Sequence, residues 1–303
     1  MALSQPKSST GSGVTNALAA YFMWGLAPIY FKLLIDIGAG EILMHRVVWS
    51  SVFLLLLVLL SKKRLVLIQL CKQPKVIAKL SLSASILAVN WLLFIWAINN
   101  NHLLDASLGY FINPLFNVAL GMMFFNERLR RNQKIAVALA GFGVFVQLFT
   151  VGSLPLVSLV LASTFAIYGV LRKKMHVDSF VGLLIESLLM LPIALLYWFY
   201  FIDSSTADLT SNSASLNFTL IMAGIVTTAP LLCFTAAAKR LTLSSLGFFQ
   251  YIGPSIMFLL ATFYYKESMQ LAEFATFIFI WLALALYSID AYRTMKKTQI
   301  PNT

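Results

Sequence analysis

Cysteine, histidine and acidic residues are scarce in this chain, and each scarcity removes a class of function. The two cysteines, Cys71 in a basic loop and Cys233 in an apolar run, are too far apart for a disulfide framework or a thiolate metal cluster, and both read as structural. His45, His102 and His176 are dispersed. Histidines so dispersed do not build a metal site, so no metal and no cofactor is expected. Only 11 Asp and Glu stand against 22 Lys and Arg, and no carboxylates cluster with the geometry that acid–base chemistry needs. An enzyme is therefore not expected; a lipid-acting membrane enzyme would be the form such an activity took. No P-loop is present, and "GFGVF" at 141–145 has two glycines but no strand and no acidic partner, so it reads as helix packing and ATP bound by this chain is excluded as an energy source. Long polar stretches are missing too. Outside the apolar runs lie a basic loop at 61–77 and a polar segment at 203–217, which leave no room for a soluble catalytic or sensory domain.

What the chain does have is hydrocarbon. With 60% hydrophobic and 11% charged residues among 303, it exceeds the apolar content of a soluble domain and reads as an integral membrane protein whose first partner is the lipid bilayer. Runs of about 18 to 22 residues, the length that crosses a ~30 Å core, occur at 13–34, 41–60, 78–98, 103–125, 133–150, 155–172, 179–201, 217–238, 243–264 and 269–291. The first follows a polar N-terminal tail without a small-residue cleavage site, so it reads as a span and not as a removable signal. The net charge of +11 does not point to nucleic acid, because the basic residues sit in short loops between spans. Ten spans with the N-terminus in the cytoplasm place every Lys and Arg inside except Lys32, Lys266 and Arg46. The expectation is ten transmembrane helices with both termini cytoplasmic.

The two halves resemble each other. "SLGYFINPLFNVALGMMFFNE" at 107–127 and "SLGFFQYIGPSIMFLLATFYYKE" at 245–267 share Ser-Leu-Gly, an aromatic pair, a proline, and a glutamate thirteen residues later. Pro114 and Pro254 are offset by 140, as are Glu127 and Glu267. Five spans per half make the repeats inverted in the membrane. The expected organisation is a tail at 1–12, a first five-helix repeat at 13–150, an inverted second repeat at 151–291 and a basic tail at 292–303.

Through "AYFMWGLAPIYFKLL", "EILMHRVVWS", "NWLLFIWAINNNHLLDASLGYFINPLFNVALGMMFFNERL" and "QYIGPSIMFLLATF", the chain resembles the RarD group of EamA-type permeases in the drug/metabolite transporter superfamily. The resemblance implies a bacterial inner-membrane carrier of small molecules, a cavity lined by spans one, three, four, six, eight and nine, export of metabolites or drugs, and a link to chloramphenicol sensitivity. It does not supply the substrate. The leading reading is a secondary active transporter working by alternating access. Uptake or exchange of an amino-acid-like metabolite is the alternative, and a channel is disfavoured because no charged or carbonyl-rich filter is visible. No dimer motif assigns an oligomeric state.

Polar residues inside spans supply the candidate site. Tyr21, Trp24, Asn90, Trp91, Asn113, Pro114, Asn117, Tyr168, Gln250 and Tyr251 are candidate cavity residues, with helix–helix hydrogen bonding as the bland reading of each amide and phenol. Arg46 and Glu186 are offset by 140 and so occupy equivalent places in the two halves. Glu186, set among leucine and isoleucine, reads as a proton-coupling group, a substrate contact or a paired structural acid. Arg46 reads as a snorkelling cation, an outer latch or a substrate contact. Glu41 suits the first turn of its helix, and His45 reads as a hydrogen-bonded residue. Pro114 and Pro254 remove backbone hydrogen bonds at matched positions, either as static kinks or as gating hinges, with Pro230 a further interior kink.

Overall fold

The computed structural model describes residues 8–99, 103–151, 156–201, 204–266 and 271–299, which form helices and no strand. Lys7, His102, Asp203 and Glu267 lie outside the described residues. In chain order the helices are α1 Ser8–Lys32, α2 Ala39–Leu60, α3 Arg64–Cys71, α4 Pro74–Asn99, α5 Leu103–Phe125, α6 Arg131–Val151, α7 Leu156–Lys174, α8 Ser179–Tyr200, α9 Ala214–Ala238, α10 Leu243–Gln250, α11 Ile252–Leu259 and α12 Leu271–Gln299. Among the described residues, eight segments are long and apolar enough to cross a membrane, and α5 adds a shorter apolar stretch, Gly109–Phe125. Apolar side chains such as Phe22, Leu60, Phe149, Ile193 and Phe199 stand outward on these helices. That is the pattern of a lipid-facing perimeter, where every backbone group is satisfied within its helix.

Helix ends follow the local chemistry. Pro74 opens α4 at a position where its missing N–H costs nothing. Asp178 caps α8, accepting from the amides of Phe180 at 3.0 Å and Val181 at 3.3 Å. The basic loop expected at 61–77 is partly helical, because Leu65, Val66 and Ile68 of α3 give an apolar face to an otherwise basic turn.

The span expected at 243–264 is not one helix. It divides at Tyr251 and ends in a π-turn over Leu260–Tyr264. Pro254 is the physical cause: it has no N–H to give the Gln250 carbonyl four residues back, and its ring pushes that carbonyl aside. Tyr251 N–H instead reaches the Phe248 carbonyl at 3.2 Å, a tighter turn. Pro114, its counterpart in the repeat, sits in an unbroken α5.

Packing joins the two halves of the chain. The most extensive pairings are α12 with α6, α5 with α7, α2 with α8 and α9, and α1 with α9, each linking a helix from before residue 152 to one after it. Gly224 is what lets α2 and α9 touch: a Cβ there would lie 2.4 Å from the Trp49 carbonyl carbon, and Ser50 Oγ donates to the Gly224 carbonyl at 3.2 Å. The first half of α8 is enclosed on every side, with seven consecutive buried residues from Val181 to Ser187.

Candidate functional site

Where α2, α4, α8 and α9 meet, they leave an enclosed space of about 10 Å³. That is roughly one water molecule, so the bundle is constricted here, whereas a cleft of about 660 Å³ lies at the Lys63–Asp178 end, with Asn16, Phe53, Lys239 and Arg240 also in its walls. Ser50, Trp91, Glu186, Ser187, Thr227 and Thr228 give the walls their polar atoms, while Val47, Leu54, Leu87, Leu183, Met190 and Leu231 give the rest. One charged residue, Glu186, lines the space, and a second, Arg46, is bonded to the lining residue Thr227. Arg46 lies seven residues into α2 and Glu186 seven residues into the antiparallel α8, each about 10 Å from its own helix start.

Glu186 is 1% exposed and fully engaged. Arg172 Nη1 donates to its Oε1 at 3.2 Å, Ser83 Oγ donates to the same oxygen, and Tyr168 Oη donates to Oε2 at 3.3 Å. The sequence showed only its leucine and isoleucine neighbours. Arg172 belonged with the cytoplasmic loop charges in that reading, and this is corrected: it sits in the last turn of α7, 1% exposed, pointing back into the bundle. Gly182 makes the room, since a Cβ there would lie 2.6 Å from Arg172 Nη1. Gly182 and Glu186 are one turn apart, so a single face of α8 supplies both the space and the counter-charge.

Arg46 makes one side-chain hydrogen bond, from Nε to Thr227 Oγ1 at 2.8 Å, and its guanidinium carbon lies 4.7 Å from the Trp91 ring centre and 5.8 Å from that of Phe31. His45, beside it, is buried and accepts from Trp49 Nε1 at 3.1 Å.

The other expected cavity residues hold helices together. Asn117 Nδ2 donates to Asn113 Oδ1 at 3.1 Å and to Gln250 Oε1 at 3.0 Å, and Asn113 Nδ2 donates to the Ala162 carbonyl. Asn90 Nδ2 reaches the Leu161 carbonyl at 2.9 Å and Thr164 Oγ1 at 2.8 Å, and Tyr251 Oη reaches the Phe111 carbonyl at 3.2 Å. The Pro114 carbonyl would lie 2.7 Å from a Cβ at Gly247, so the repeated proline and glycine meet across α5 and α10. Tyr21 and Trp24 join Phe165, Tyr168 and Phe234 in an aromatic cluster with ring centres 5.2–6.4 Å apart. Of the ten expected cavity residues, Trp91 alone lines the closed space, which spans two, three, seven and eight enclose. Sequence reasoning missed Ser83, Arg172, Thr227 and Thr228; the one available signal was that Arg172 is offset by 140 from Lys32.

Polar contacts tie helices together at both ends of the bundle, and at the basic end they border the wider cleft. At the basic end Lys63 pairs with Asp178 at 2.7 Å, and Lys173 donates to the Ala238 and Leu241 carbonyls. Glu127 there caps α10, accepting from Leu243 N at 2.6 Å, Ser244 N at 2.9 Å and Ser244 Oγ at 2.7 Å. At the opposite end Thr206 Oγ1 donates to Glu41 at 2.8 Å and Tyr30 Oη to the Thr219 carbonyl at 2.9 Å.

Comparison with known proteins places this arrangement. Residues 11–149 match the EamA-like transporter family. A solved crystal structure aligns over 96% of this chain and 99% of its own with a TM-score of 0.72 at 16% identity, a likeness of fold. Protein RarD of Escherichia coli is 55% identical over 95% of this chain and 98% of its own length. A Pseudomonas aeruginosa protein called chloramphenicol-sensitive protein RarD is 32% identical over 95% and 97%. The class is thus a multi-pass inner-membrane transporter protein. Within it, the chain belongs to the RarD family of EamA-type permeases.

Proposed function

We propose that the protein is a secondary active transporter that carries small organic molecules across the inner membrane by alternating access, with export as its net direction. The observation that carries this reading is the central constriction, with Glu186 and Thr227 in its wall and Arg46 bonded to Thr227, between the contacts of the outer end and the cleft of the basic end. Alternating access needs such a constriction between the two sides of the membrane. In this reading α1 and α5 join the eight clearly apolar spans to make ten, arranged as two inverted repeats at 13–150 and 151–291. Both termini and the basic end are cytoplasmic. Opening inward separates Lys63 from Asp178 and Glu127 from α10, whereas opening outward separates Glu41 from Thr206 and lets the chain bend at Tyr251–Pro254.

Within this scheme Glu186 and Arg172 close the inner end of the space as a pair, and Arg46, Trp91, Thr227 and Thr228 form the outer end. Asn90, Asn113, Asn117, Gln250 and Tyr251 set the helix registers around it, and Tyr21, Trp24 and Tyr168 form the aromatic wall behind Glu186. Protons are the candidate coupling ion. The test is accumulation of labelled chloramphenicol and of a labelled amino-acid pool in cells lacking or expressing the protein, with and without a protonophore. Lower accumulation on expression, restored by the protonophore, supports energised export. Higher accumulation of an amino acid supports uptake or exchange instead, and no change for any compound counts against transport of these classes.

A further inference from the structure

We infer that Arg46 is the docking point for the carboxylate of the transported molecule, so that the substrate class is small organic monocarboxylates with an apolar or aromatic body. The inference rests on the transporter reading and narrows it. Its starting point is an imbalance of charge. Two arginines stand just behind the wall of the central space, each bonded to a residue that lines it, Arg172 to Glu186 and Arg46 to Thr227. Arg172 is matched by Glu186 at 3.2 Å, whereas among the described residues no carboxylate lies within 4 Å of Arg46. Its titratable neighbours are the phenols of Tyr30 and Tyr110. With the Arg172–Glu186 pair neutral as a unit, Arg46 leaves the space with a net positive charge. An uncompensated charge at this depth costs several kcal/mol, a cost that a protein carries where a ligand removes it.

The hydrogen-bonding inventory points the same way. A guanidinium has five N–H donors in a planar fork. Among the described residues only Nε of Arg46 has a hydrogen-bond acceptor, Thr227 Oγ1, and neither Nη group has one. Two parallel Nη–H donors are the match for a carboxylate. Nearby, the Thr228 hydroxyl lines the same space, is 1% exposed and has no hydrogen-bond partner. A buried hydroxyl without a partner is expensive, and a ligand oxygen placed between Arg46 and Thr228 would satisfy it. The remaining wall, Trp91 with Leu87, Val47 and Met190, offers an aromatic face and aliphatic side chains to the rest of the molecule.

The repeat gives the arrangement its logic. The positions equivalent to Arg172 and Glu186 in the first half are Lys32 and Arg46. The second half thus carries a cation and its own carboxylate, and the first half carries two cations. Arg46 thus stands where its counterpart is the carboxylate Glu186, and a substrate carboxylate docked on Arg46 would supply there the charge that Glu186 supplies to Arg172.

The test uses purified full-length protein and matched probes: phenylacetate and N-acetylphenylalanine, each beside its methyl ester, with inorganic phosphate as a further arm. Thermal unfolding is followed at millimolar probe. The acids are expected to raise the Tm of the wild type and the esters and phosphate to leave it unchanged. Arg46→Gln is expected to abolish the shift, and Arg46→Lys, which keeps the charge but not the fork, to weaken acid binding about tenfold, the equivalent of ~1.4 kcal/mol. Esters as effective as acids, phosphate as effective as either, no response to any acid, or an undiminished acid shift in a folded Arg46→Gln protein would each overturn the inference. Transport is scored separately by the accumulation assay. Export of neutral chloramphenicol that Arg46→Gln leaves unchanged overturns the anion site while transport stands. Acid binding that needs Arg46, without flux of any compound, supports the anion site and counts against transport.

Discussion

The buried pair of Arg172 and Glu186 offers the sharpest test of the energetics. Both side chains are 1% exposed, so neither charge has water to fall back on once its partner is gone. Removing one member of such a pair costs ~3–5 kcal/mol, whereas replacing both with apolar residues of similar size is near neutral or stabilising. The pair also begins from an incomplete inventory, because Arg172 Nε and Nη2 have no acceptor. Arg172→Met strands the Glu186 carboxylate with Ser83 and Tyr168 as its only donors, and Glu186→Leu strands the guanidinium. At about 2–4 °C per kcal/mol, each single variant should lose roughly 6–20 °C in Tm. The double variant should recover most of that loss, giving a coupling energy of ~5 kcal/mol or more, above the ~0.5–3 kcal/mol usual for residues in contact. The assay is thermal unfolding of purified protein in detergent, with the four proteins of the cycle compared at one pH. Single variants within 2 °C of wild type, or a double variant as damaged as the sum of the singles, would show that the two charges are not an energetic unit.

Three further outcomes follow from the packing and the charges. Gly224→Ala should cost about 1–3 kcal/mol in the same assay, because its Cβ would lie 2.4 Å from Trp49 backbone and no flexible side chain is there to give way. Glu127→Ala should cost about 1–2 kcal/mol by uncapping α10; Glu127→Gln, which can still accept from one amide, should cost less, and equal Tm losses for the two would show that the cap does not act through that carboxylate. The third concerns pH. Burial and the nearby Arg172 charge, partly opposed by Asp178, lower Lys239 from its ordinary 10.5 to about 8. Between those values the unfolded chain holds more protons than the folded one, so the stability tied to Lys239 rises as pH climbs from about 8 toward 10.5 and is flat below that window. The Tm difference between wild type and Lys239→Met should move in favour of wild type across it, and a constant difference from pH 7.5 to 10 would refute the reasoning.

At Asp178 two opposing effects meet. Burial pushes the carboxyl up, but the Lys63 ammonium and the amides of Val181 and Phe180 outweigh it and hold the group below the usual carboxylate range. Its contribution is therefore complete above an ordinary aspartate value of 3.8 and lost as pH falls through the lower folded-state value. The Asp178 carboxylate thus stays ionised throughout the Lys239 experiment.

Much of this protein was legible from one dimension, because crossing a bilayer is a one-dimensional problem. Twenty apolar residues span hydrocarbon whatever their neighbours do, so composition and run length fixed the class, and the combination of quoted motifs sufficed for the family. Caps are local too: the α8 start follows from Asp178, whereas a proline alone does not decide a break, since the helix divides before Pro254 and runs on through Pro114. What tertiary structure alone decided was partnership. Asn113, Asn117 and Gln250 look the same in sequence whether they face a substrate or one another, since the choice depends on how α5 and α10 approach. Arg172 looked like one more loop cation until α8 presented Gly182 and Glu186 to it, a distance relation that no span length encodes. Thr227 and Thr228 carried no signal at all, because a hydroxyl in an apolar run acquires meaning only from the helix across from it. Lipid is satisfied by composition, whereas a buried charge is satisfied by one atom at one distance, and only the folded bundle supplies that atom.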